Sequence, residues 1–308
     1  MAGRRARAVP ARAGGAELAV VPTYRKTEVV LVTGVEVRTR AQAPVGRRPI
    51  RSLYAGNARS VMYRGWLATK STNWLVVVSG VFEPVFYLLS LGIGLGSFVG
   101  TVTAADGRPI SYAAFIAPAL LATAAMNGAI YDSTWNVFFK IRFAKLYEGM
   151  LATSLGPLDV AIGEISLALL RGAAYAVAFM LVMQVIGLNL SWWAILALPA
   201  VLLVALAFAS FGMGITSYMK SFQQMDIINF IMLPMFLLSA TFYPLSVYPP
   251  GIQVVIQALP LWQSVELVRS LTTGAVSVGI LWHVLYLAVM AILGMILTTR
   301  RLRALFLD

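Results

Sequence analysis

The chain has 308 residues, of which 59% are hydrophobic and only 12% are charged. An ordinary soluble domain carries about 25% charged residues, so this composition, with its apolar residues gathered into long segments, excludes a soluble domain and predicts a membrane protein. The net charge is +12, but 14 of the 24 lysines and arginines lie within the first 70 residues, which favours a basic tail on a membrane protein over a nucleic-acid-binding protein.

The N-terminal segment, residues 1–49, is rich in arginine, alanine, glycine and proline. It shows no sustained helical or strand period except at residues 28–37, EVVLVTGVEV, which could pair as a short strand. It also lacks the continuous apolar core and cleavage site of a secretory signal. We expect this segment to be a basic, largely disordered tail on the cytoplasmic side of the membrane.

Residues 50–72, IRSLYAGNARSVMYRGWLATKST, repeat apolar side chains at helical spacing with arginines and a lysine between them. This pattern predicts an amphipathic helix that lies in the membrane interface and extends its basic side chains to the lipid head groups. A soluble linker is the alternative.

Six hydrophobic segments follow, and a membrane span needs about 20 mostly apolar residues. They cover residues 74–99, 110–131, 160–188, 192–218, 227–243 and 279–299. Between the last two, residues 244–274 are too polar and too rich in proline to span. We expect short helices at 251–259 and 261–271 there, forming a re-entrant outer hairpin shielded by protein or water. The predicted fold class is therefore all-α integral membrane, with a six-span domain over residues 73–303.

The orientation follows from the positive charges. With both termini in the cytoplasm, the inner segments hold 21 lysines and arginines and the outer segments hold two, Arg108 and Arg269. Cytoplasmic loops carry an excess of these residues, so we expect cytoplasmic N- and C-termini. Arginine is far commoner than lysine, as in GC-rich bacteria, so the expected location is the bacterial plasma (inner) membrane.

Ionisable side chains within spans are costly and are candidates for function. Glu83 lies about ten residues into the first span, where the alternative is a structural carboxyl group. Glu164 and Arg171 are seven residues apart on the third span, too far for direct pairing. We expect Glu164 to be solvated at the interface, as Asp132 is at its boundary, whereas Arg171 needs a partner, for which Glu83 is the candidate.

Glu266 and Arg269 are three residues apart on the second predicted outer helix. At that spacing they share a helix face and can pair. Alternatively, they hold the outer hairpin against the bundle.

Several motifs are missing from the sequence. It contains no GxxxxGK[ST] phosphate loop, no HExxH and no GxSxG, no cysteine, and one histidine, His283. Disulfides, cysteine sites and multi-histidine metal sites are therefore excluded, and we expect no catalytic residue, metal or cofactor on this chain. If the protein moves a molecule uphill, we expect another chain to supply the energy.

Four stretches, with the six-span plan, resemble the permease subunit of ABC-2 type ABC exporters over about residues 55–303. The similar branch includes nodulation lipo-oligosaccharide and daunorubicin-type exporter permeases. Gln263 stands where that family often has histidine. The stretches are FEPVFYLLSLGIGLG (82–96), YEGMLATSLGPLDVAIGE (147–164), DIINFIMLPMFLLSATFYPL (226–245) and LPLWQSVELVR (259–269).

The resemblance implies a half-transporter that pairs with a second permease copy or a paralogue and docks two ABC ATP-binding subunits, which carry ATP and Mg²⁺. It implies a cytoplasmic coupling helix between spans 2 and 3, about residues 136–154. It also matches segment 50–70 to the family's interface helix and hairpin 244–274 to the helices that close the exit. Membrane lipids are expected partners, and nucleic acid is not. The candidate ATPase contacts are Lys140, Arg142, Lys145, Tyr147 and Glu148, and the candidate outer gate residues are Gln263, Glu266 and Arg269.

Three hypotheses remain open on the sequence alone. The first is an exporter permease for a lipid-linked glycan, a lipid or an amphipathic drug. The second is a membrane-embedded enzyme acting on a lipid or polyprenyl-linked sugar through Glu83, Glu164 and Glu266. The third is a scaffold or sensor that anchors the basic tail. In the first, spans 1, 2 and 5 line the path, with Tyr87, Met126, Asn127, Asn229, Met232 and Phe236 as candidate cargo contacts.

Overall fold

The computed structural model describes residues 56–69, 73–104, 106–153 and 155–306. The predicted tail at 1–49 and its possible strand at 28–37 lie outside the described residues. So do the first residues of the predicted interface helix. The described residues are mostly helical, and one short antiparallel pair of strands connects two of the helices.

The predicted interface helix is present as α1, Ala58–Thr69. It packs against α7, Pro157–Ile186, through close contacts at two glycines. A Cβ atom at Gly163 would lie 2.5 Å from Cβ of Val61, and one at Gly65 would lie 2.1 Å from Leu167. The helix is thus fixed to the start of the third predicted span, while its position in the membrane interface stays a prediction.

Five helical runs of the described chain are long and apolar enough to cross a membrane, which confirms an all-α membrane protein. The runs are Gly80–Val99, Tyr112–Arg142, Pro157–Ile186, Trp192–Thr216 and Gly279–Phe306. The first comprises α2, Asn73–Tyr87, a π-helical segment, Leu88–Leu95, and α3, Gly96–Val99. The fourth comprises a 3₁₀ turn, Trp192–Leu196, and α8, Ala197–Thr216. The fifth is α12, Gly279–Phe306.

The second run is longer than the sequence indicated. It consists of α4, Tyr112–Tyr131, a π-helical turn, Asp132–Asn136, and α5, Val137–Arg142. The sequence ended the second span at residue 131, whereas the helix continues for eleven more residues and enters the segment expected to contain the coupling helix. At 1.5 Å per residue the run is about 46 Å long, which exceeds the hydrocarbon core of about 30 Å. The end that carries α5 is followed by α6, Leu146–Leu151.

The segment predicted at 227–243 is shorter than expected. A 3₁₀ turn, Phe222–Met225, leads into α9, Asp226–Leu238. The helix stops there because Ala240 has a φ of 52°, a left-handed conformation that cannot continue an α-helix. These 17 residues span about 25 Å, so a sixth membrane crossing stays a prediction.

The outer segment contains two helices close to the predicted positions. A 3₁₀ turn, Leu245–Val247, precedes α10, Pro250–Ala258, and α11, Pro260–Thr273. Each helix has proline in its first turn, where the missing N–H costs nothing. Strand β1, Thr101–Thr103, pairs antiparallel with β2, Pro109–Ser111, on the connection before α4. Re-entry of α10 and α11 into the membrane stays a prediction.

The core of the described bundle is centred on α4. The most apolar part of its run is 83% buried, against 17% for the runs that contain α2 and α12. Helices α7, α8 and α11 pack around α4, and α12 packs against α8. At the α8–α12 crossing, a Cβ atom at Gly294 would lie 2.6 Å from the backbone nitrogen of Phe211. The weakly covered faces of α2 and α12 are thus available to lipid or to a partner.

Candidate functional site

A cavity of about 320 Å³ opens beside α2, with α4, α7 and Phe236 of α9 as its other walls. We call it the polar cavity because a carboxylate, a guanidinium, an amide and three tyrosines line it, all within the long apolar helical runs. Five candidate residues from the sequence meet here, although they come from four different helices. The lining residues are Gly80, Glu83, Pro84, Tyr87, Leu120, Thr123, Ala124, Asn127, Gly128, Tyr131, Arg171, Tyr175 and Phe236.

Arg171 is held at the cavity wall by Asp132. Nη1 of Arg171 lies 3.0 Å from Oδ1 of Asp132, whose side chain is only 6% exposed. Asn136 donates a hydrogen bond to the same carboxylate at 3.4 Å. The expectation of a solvated Asp132 is wrong, and so is the choice of Glu83 as the partner of Arg171. Glu83 instead stands on the exposed side of α2, where its charge faces the cavity opening.

A second buried ion pair joins the same two helical runs. Nζ of Lys140 lies 2.6 Å from Oε2 of Glu164, and the two side chains are 16% and 5% exposed. The expectation that Glu164 is solvated is therefore wrong. Lys140 on α5 and Asp132 below it each bind α7, so the long second run and α7 are fastened by two charge-assisted contacts.

The segment after α5 folds back onto the bundle through Tyr147. This side chain is fully buried, and burial together with the nearby negative charge of Glu164 raises the pKa of its hydroxyl well above the usual value. Arg142 donates two hydrogen bonds to the carbonyl oxygen of Met219, at 3.1 and 2.6 Å. Three of the five candidate ATPase contacts, Lys140 among them, are thus occupied within the chain.

The remaining two candidates are on the surface. Lys145, with a φ of 47°, and Glu148 are both exposed. Two phenylalanines beside them, Phe139 and Phe143, are also exposed and stack with ring centroids 5.3 Å apart. The sequence interpretation missed this aromatic pair, although two phenylalanines four residues apart with Lys140 and Arg142 between them are a detectable signal.

Asp159 is a further residue that the sequence interpretation missed. Its side chain is completely buried, and its two carboxylate oxygens accept hydrogen bonds from the backbone nitrogens of Gly156 and Asn57, each at 3.0 Å. It therefore caps the start of α7 and ties the entrance of α1 to it. The signal was the Gly-Pro-x-Asp pattern, which places an acidic side chain in the first turn of a helix.

At the end of the bundle that carries α10 and α11, Arg269 forms a buried centre. Nη1 lies 2.6 Å from Oε1 of Glu266, which confirms the predicted pair. The other guanidinium nitrogens donate to the carbonyl oxygens of Ala240 and Phe115, at 2.8 and 3.3 Å, and the guanidinium lies 4.0 Å from the Phe115 ring. Arg269 thus joins α11, the end of α9 and α4.

Gln263 connects α11 to its neighbours. Its Nε2 donates to the carbonyl oxygen of Gln257 at 2.7 Å, and its Oε1 contacts Nδ1 of His283 on α12. The single histidine of the chain therefore lies against the position where the similar family often has one. Gln263 and Arg269 are thus built into contacts between helices at this end, and Glu266 pairs with Arg269 within α11.

Three candidate cargo contacts lie outside the polar cavity. Met126 is buried in the core of α4, and Asn229 is exposed on α9. Met232 lines a second cavity of about 530 Å³ between α9 and the bundle, which we call the apolar cavity. Its lining is Ile130, Thr134, Phe208, Phe211, Gly212, Ile215, Met219, Ile227, Ile228, Phe230, Ile231, Met232, Pro234, Met235, Leu238, Ile252, Val255, Ile256, Leu259, Pro260 and Met290.

The three carboxylates of the enzyme hypothesis are not assembled into one site. Glu83, Glu164 and Glu266 lie on α2, α7 and α11, and the last two are neutralised by a lysine and an arginine. Within the described ranges, no group of three or more histidine, aspartate or glutamate residues could hold a metal ion. The geometry therefore offers a charged cavity and interhelical ion pairs.

Comparison with known proteins gives consistent matches. The family model described as "ABC-2 type transporter" matches residues 57–273. Nodulation protein J of Rhizobium leguminosarum bv. viciae is 31% identical over 80% of this chain and 94% of its own length. Nodulation protein J of Sinorhizobium fredii is 32% identical over 78% and 90%. The inner membrane transport permease YadH of Escherichia coli is 24% identical over 62% and 77%.

Proposed function

The chain belongs to the ABC-2 type transporter family and is a transport permease component, and on that premise we propose that it forms half of an ATP-driven exporter. Its cargo is an amphipathic molecule, namely a lipid-linked glycan, a lipid or an amphipathic drug, which it moves out of the cytoplasm or inner leaflet. The energy comes from ATP and Mg²⁺ bound to two separate ATP-binding subunits. The protein lies in the bacterial plasma membrane with both termini in the cytoplasm.

The polar cavity is the single observation that carries this proposal. It places the carboxylate of Glu83 and the guanidinium of Arg171 at the depth of the long helices. Charges at that depth are costly in lipid and face a water-filled cavity or a protein partner in membrane proteins. Aromatic rings of Tyr87 and Phe236, 5.9 Å apart between centroids, give the same cavity an apolar side. Such a wall suits a cargo with a polar and an apolar part.

A second permease copy or a paralogue would close the polar cavity. Glu83 on α2 and Asn229 on α9 are both exposed in the single chain, and neither side chain is suited to lipid. A partner that covers these two faces would turn an open recess into an enclosed path. We therefore assign the exposed faces of α2 and α9 to the contact between the two permeases.

The ATP-binding subunit would dock on the exposed tip that follows α5. Its contacts are Lys145 and Glu148, with the stacked rings of Phe139 and Phe143 as an apolar anchor, as central aromatic residues are in other interfaces. Lys140, Arg142 and Tyr147 position this tip, because each is held by the bundle. Movement of the docked subunit would then reach α7 through the Lys140–Glu164 pair.

The outer helices α10 and α11 would close the exit between transport cycles. Gln263 and Arg269 fix these helices to α12, α4 and the end of α9, and Glu266 pairs with Arg269. Release of cargo would require α11 to move as a unit, because Arg269 is bonded on three sides.

The docking proposal is tested with the double charge reversal Lys145→Glu/Glu148→Lys in the complex with its ATP-binding subunits. We expect cargo-stimulated ATP hydrolysis to be lost while the protein still inserts and purifies at the normal level. Arg300→Glu, an exposed reversal at the end of α12, is the matched control and should keep stimulation. Normal stimulation in the double variant would contradict the docking surface.

The cargo class is tested in proteoliposomes that contain the full complex. Lipid-linked oligosaccharides, fluorescent phospholipids and amphipathic drugs are compared for stimulation of ATP hydrolysis and for ATP-dependent movement. We expect one class to stimulate, and Glu83→Gln to remove that stimulation without lowering basal hydrolysis. Turnover of a lipid-linked sugar without ATP would instead support an enzyme and overturn the exporter proposal.

A further inference from the structure

The apolar cavity has no free polar group in its wall. Thr134 is the one lining residue with a polar side chain, and its hydroxyl donates to the carbonyl oxygen of Ile130 at 2.6 Å. A cavity of this kind offers water no partners and stays dry. The cavity, about 530 Å³ in volume, is open on one side to the surroundings of the bundle. In the membrane, an apolar molecule can therefore enter and fill it.

The cavity is elongated along α9. Its lining residues on α9 run from Ile227 to Leu238, almost the whole helix, which spans about 20 Å for 13 residues. An extended peptide in this groove would bring unsatisfied backbone groups against the apolar wall. A flexible alkyl chain fits both the length and the chemistry of the cavity.

Three basic residues contact or adjoin Tyr218 and Met219 at one end of the cavity, although none of the three lines the cavity itself. That end is marked by Met219, whose carbonyl oxygen binds Arg142 and whose neighbour in sequence, Lys220, is exposed. The guanidinium of Arg301 lies 4.4 Å from the ring of Tyr218, and its Nε is buried without a hydrogen-bond partner in the described chain. None of the ion pairs found among the described residues includes these three cations. Basic pockets beside membrane helices on the cytoplasmic side bind anionic lipid head groups.

We propose that the apolar cavity is a binding site for one bilayer phospholipid with an anionic head group. An acyl chain of this lipid lies between α9 and α8, and its phosphate binds Lys220 and Arg301. Only Met235 of α9 is buried by the protein, so the lipid supplies the packing that attaches this helix to the bundle. The site shares no lining residue with the polar cavity, and it is independent of the cargo.

The head-group part is tested by native mass spectrometry of the purified complex with its ATP-binding subunits, titrated with phosphatidylglycerol or phosphatidylcholine. We expect one phosphatidylglycerol to be retained per permease chain and phosphatidylcholine to be lost. Lys220→Gln and Arg301→Gln should each weaken phosphatidylglycerol retention about fivefold, the effect expected for one basic residue. Arg300→Gln, the neighbouring exposed arginine on α12, is the matched control and should retain the lipid.

The acyl-chain part is tested with Ile231→Trp, which fills the cavity from α9. Ile292→Trp on α12 is the control, because Ile292 is exposed to the same extent, 59% against 58%, but lies outside the cavity. We expect only Ile231→Trp to reduce retention of phosphatidylglycerol. If this variant does not fold, the wild-type complex is photocrosslinked to a phospholipid with a diazirine on its acyl chain, and adducts are expected on α9 and α8.

Two results would overturn the proposal. Equal retention of both lipids, unaffected by Arg301→Gln, would show that no anionic head group is bound. Crosslinks from position 231 to a second permease copy instead of lipid would show that protein covers the cavity.

Discussion

The polar cavity and the apolar cavity both have α9 as a wall, but their other walls differ in polarity. The polar cavity contains Glu83 and Arg171 and is lined with tyrosines, whereas the apolar cavity has one polar side chain, which is already hydrogen-bonded. In a membrane, the charged groups of the first cavity need contact with water, cargo or a protein partner. The apolar wall of the second does not hold water, and an alkyl chain can cover it. The comparison shows how one short helix can border a transport path and a lipid site.

The shared wall also links the two cavities. Phe236 of α9 faces the polar cavity and Met235 faces the apolar cavity. Since α9 has few buried contacts of its own, the occupant of the apolar cavity sets how far α9 stands from α8. The lipid would thereby set the width of the polar cavity, without any contact to the cargo.

The largest expected effect is a loss of unfolding free energy when the ion pair behind the polar cavity is broken. Asp132→Asn leaves the guanidinium of Arg171 without its anion in a site that is 18% exposed. Removing one partner of a buried ion pair typically costs about 3–5 kcal/mol, so we expect a marked loss of unfolding free energy, measured by denaturation in bilayers. The double variant Asp132→Asn/Arg171→Gln should recover part of it.

The control for this change is the exposed pair at the other side of the molecule. Asp106→Asn removes the partner of Arg108, whose side chain is 58% exposed, and exposed pairs contribute little. We expect no measurable change in stability. An Asp132→Asn protein as stable as the wild type would contradict the role of the buried pair. So would a double variant whose loss of stability equals the sum of the losses in the two single variants.

A smaller effect is expected from Glu83→Gln, which should separate the functions of the two cavities. Losing a hydrogen bond to a charged group typically costs about 1.5–3 kcal/mol, which corresponds to roughly ten- to hundredfold lower cargo transport. Lipid retention should not change, because Glu83 does not line the apolar cavity. Glu83→Asp should recover part of the transport. Normal transport by Glu83→Gln, or a loss of bound lipid, would break the distinction between the cavities.

The smallest expected effect is a difference in the unfolding free energy lost when two buried phenylalanines are each replaced by alanine. Phe179→Ala opens space in the protein core and should cost about 3–5 kcal/mol. Phe208, equally well buried, lines the apolar cavity, so the lipid chain can occupy the space and Phe208→Ala should cost at least about 1 kcal/mol less. Unfolding in bilayers measures the difference, which should vanish in delipidated protein. Equal costs in bilayers would argue against an acyl chain at this wall.

The sequence predicted the helix bounds well where they depend on neighbouring residues in the chain. Pro250 and Pro260 each begin a short outer helix, because proline suits the first turn. The first, third and fourth apolar segments became helical within three residues of their predicted bounds. The prediction ended the second span at residue 131, just before the polar residues 132–134. Asp132 is neutralised by Arg171, and Thr134 donates to the helix backbone, so the helix continues.

The candidate site was predictable as a set of residues but not as a set of pairs. Glu266 and Arg269 pair at local helical spacing, and this contact was foreseen. Lys140 and Glu164 are 24 residues apart, so their contact depends on how two helices cross and cannot be derived from spacing. The apolar cavity was not predictable either, because its lining residues look like ordinary lipid-facing side chains in the sequence.

The most direct test of the account places a photo-crosslinking amino acid at Tyr131, in the polar cavity, or at Ile231, in the apolar cavity, in cells that contain the ATP-binding subunits. The masses of the adducts are compared between an active ATPase and one that cannot hydrolyse ATP. We predict a phospholipid adduct at position 231 in both cases, and a different adduct at position 131 whose amount depends on ATP hydrolysis. The same adduct at both positions, unaffected by the ATPase, would contradict the assignment of one cavity to cargo and the other to lipid.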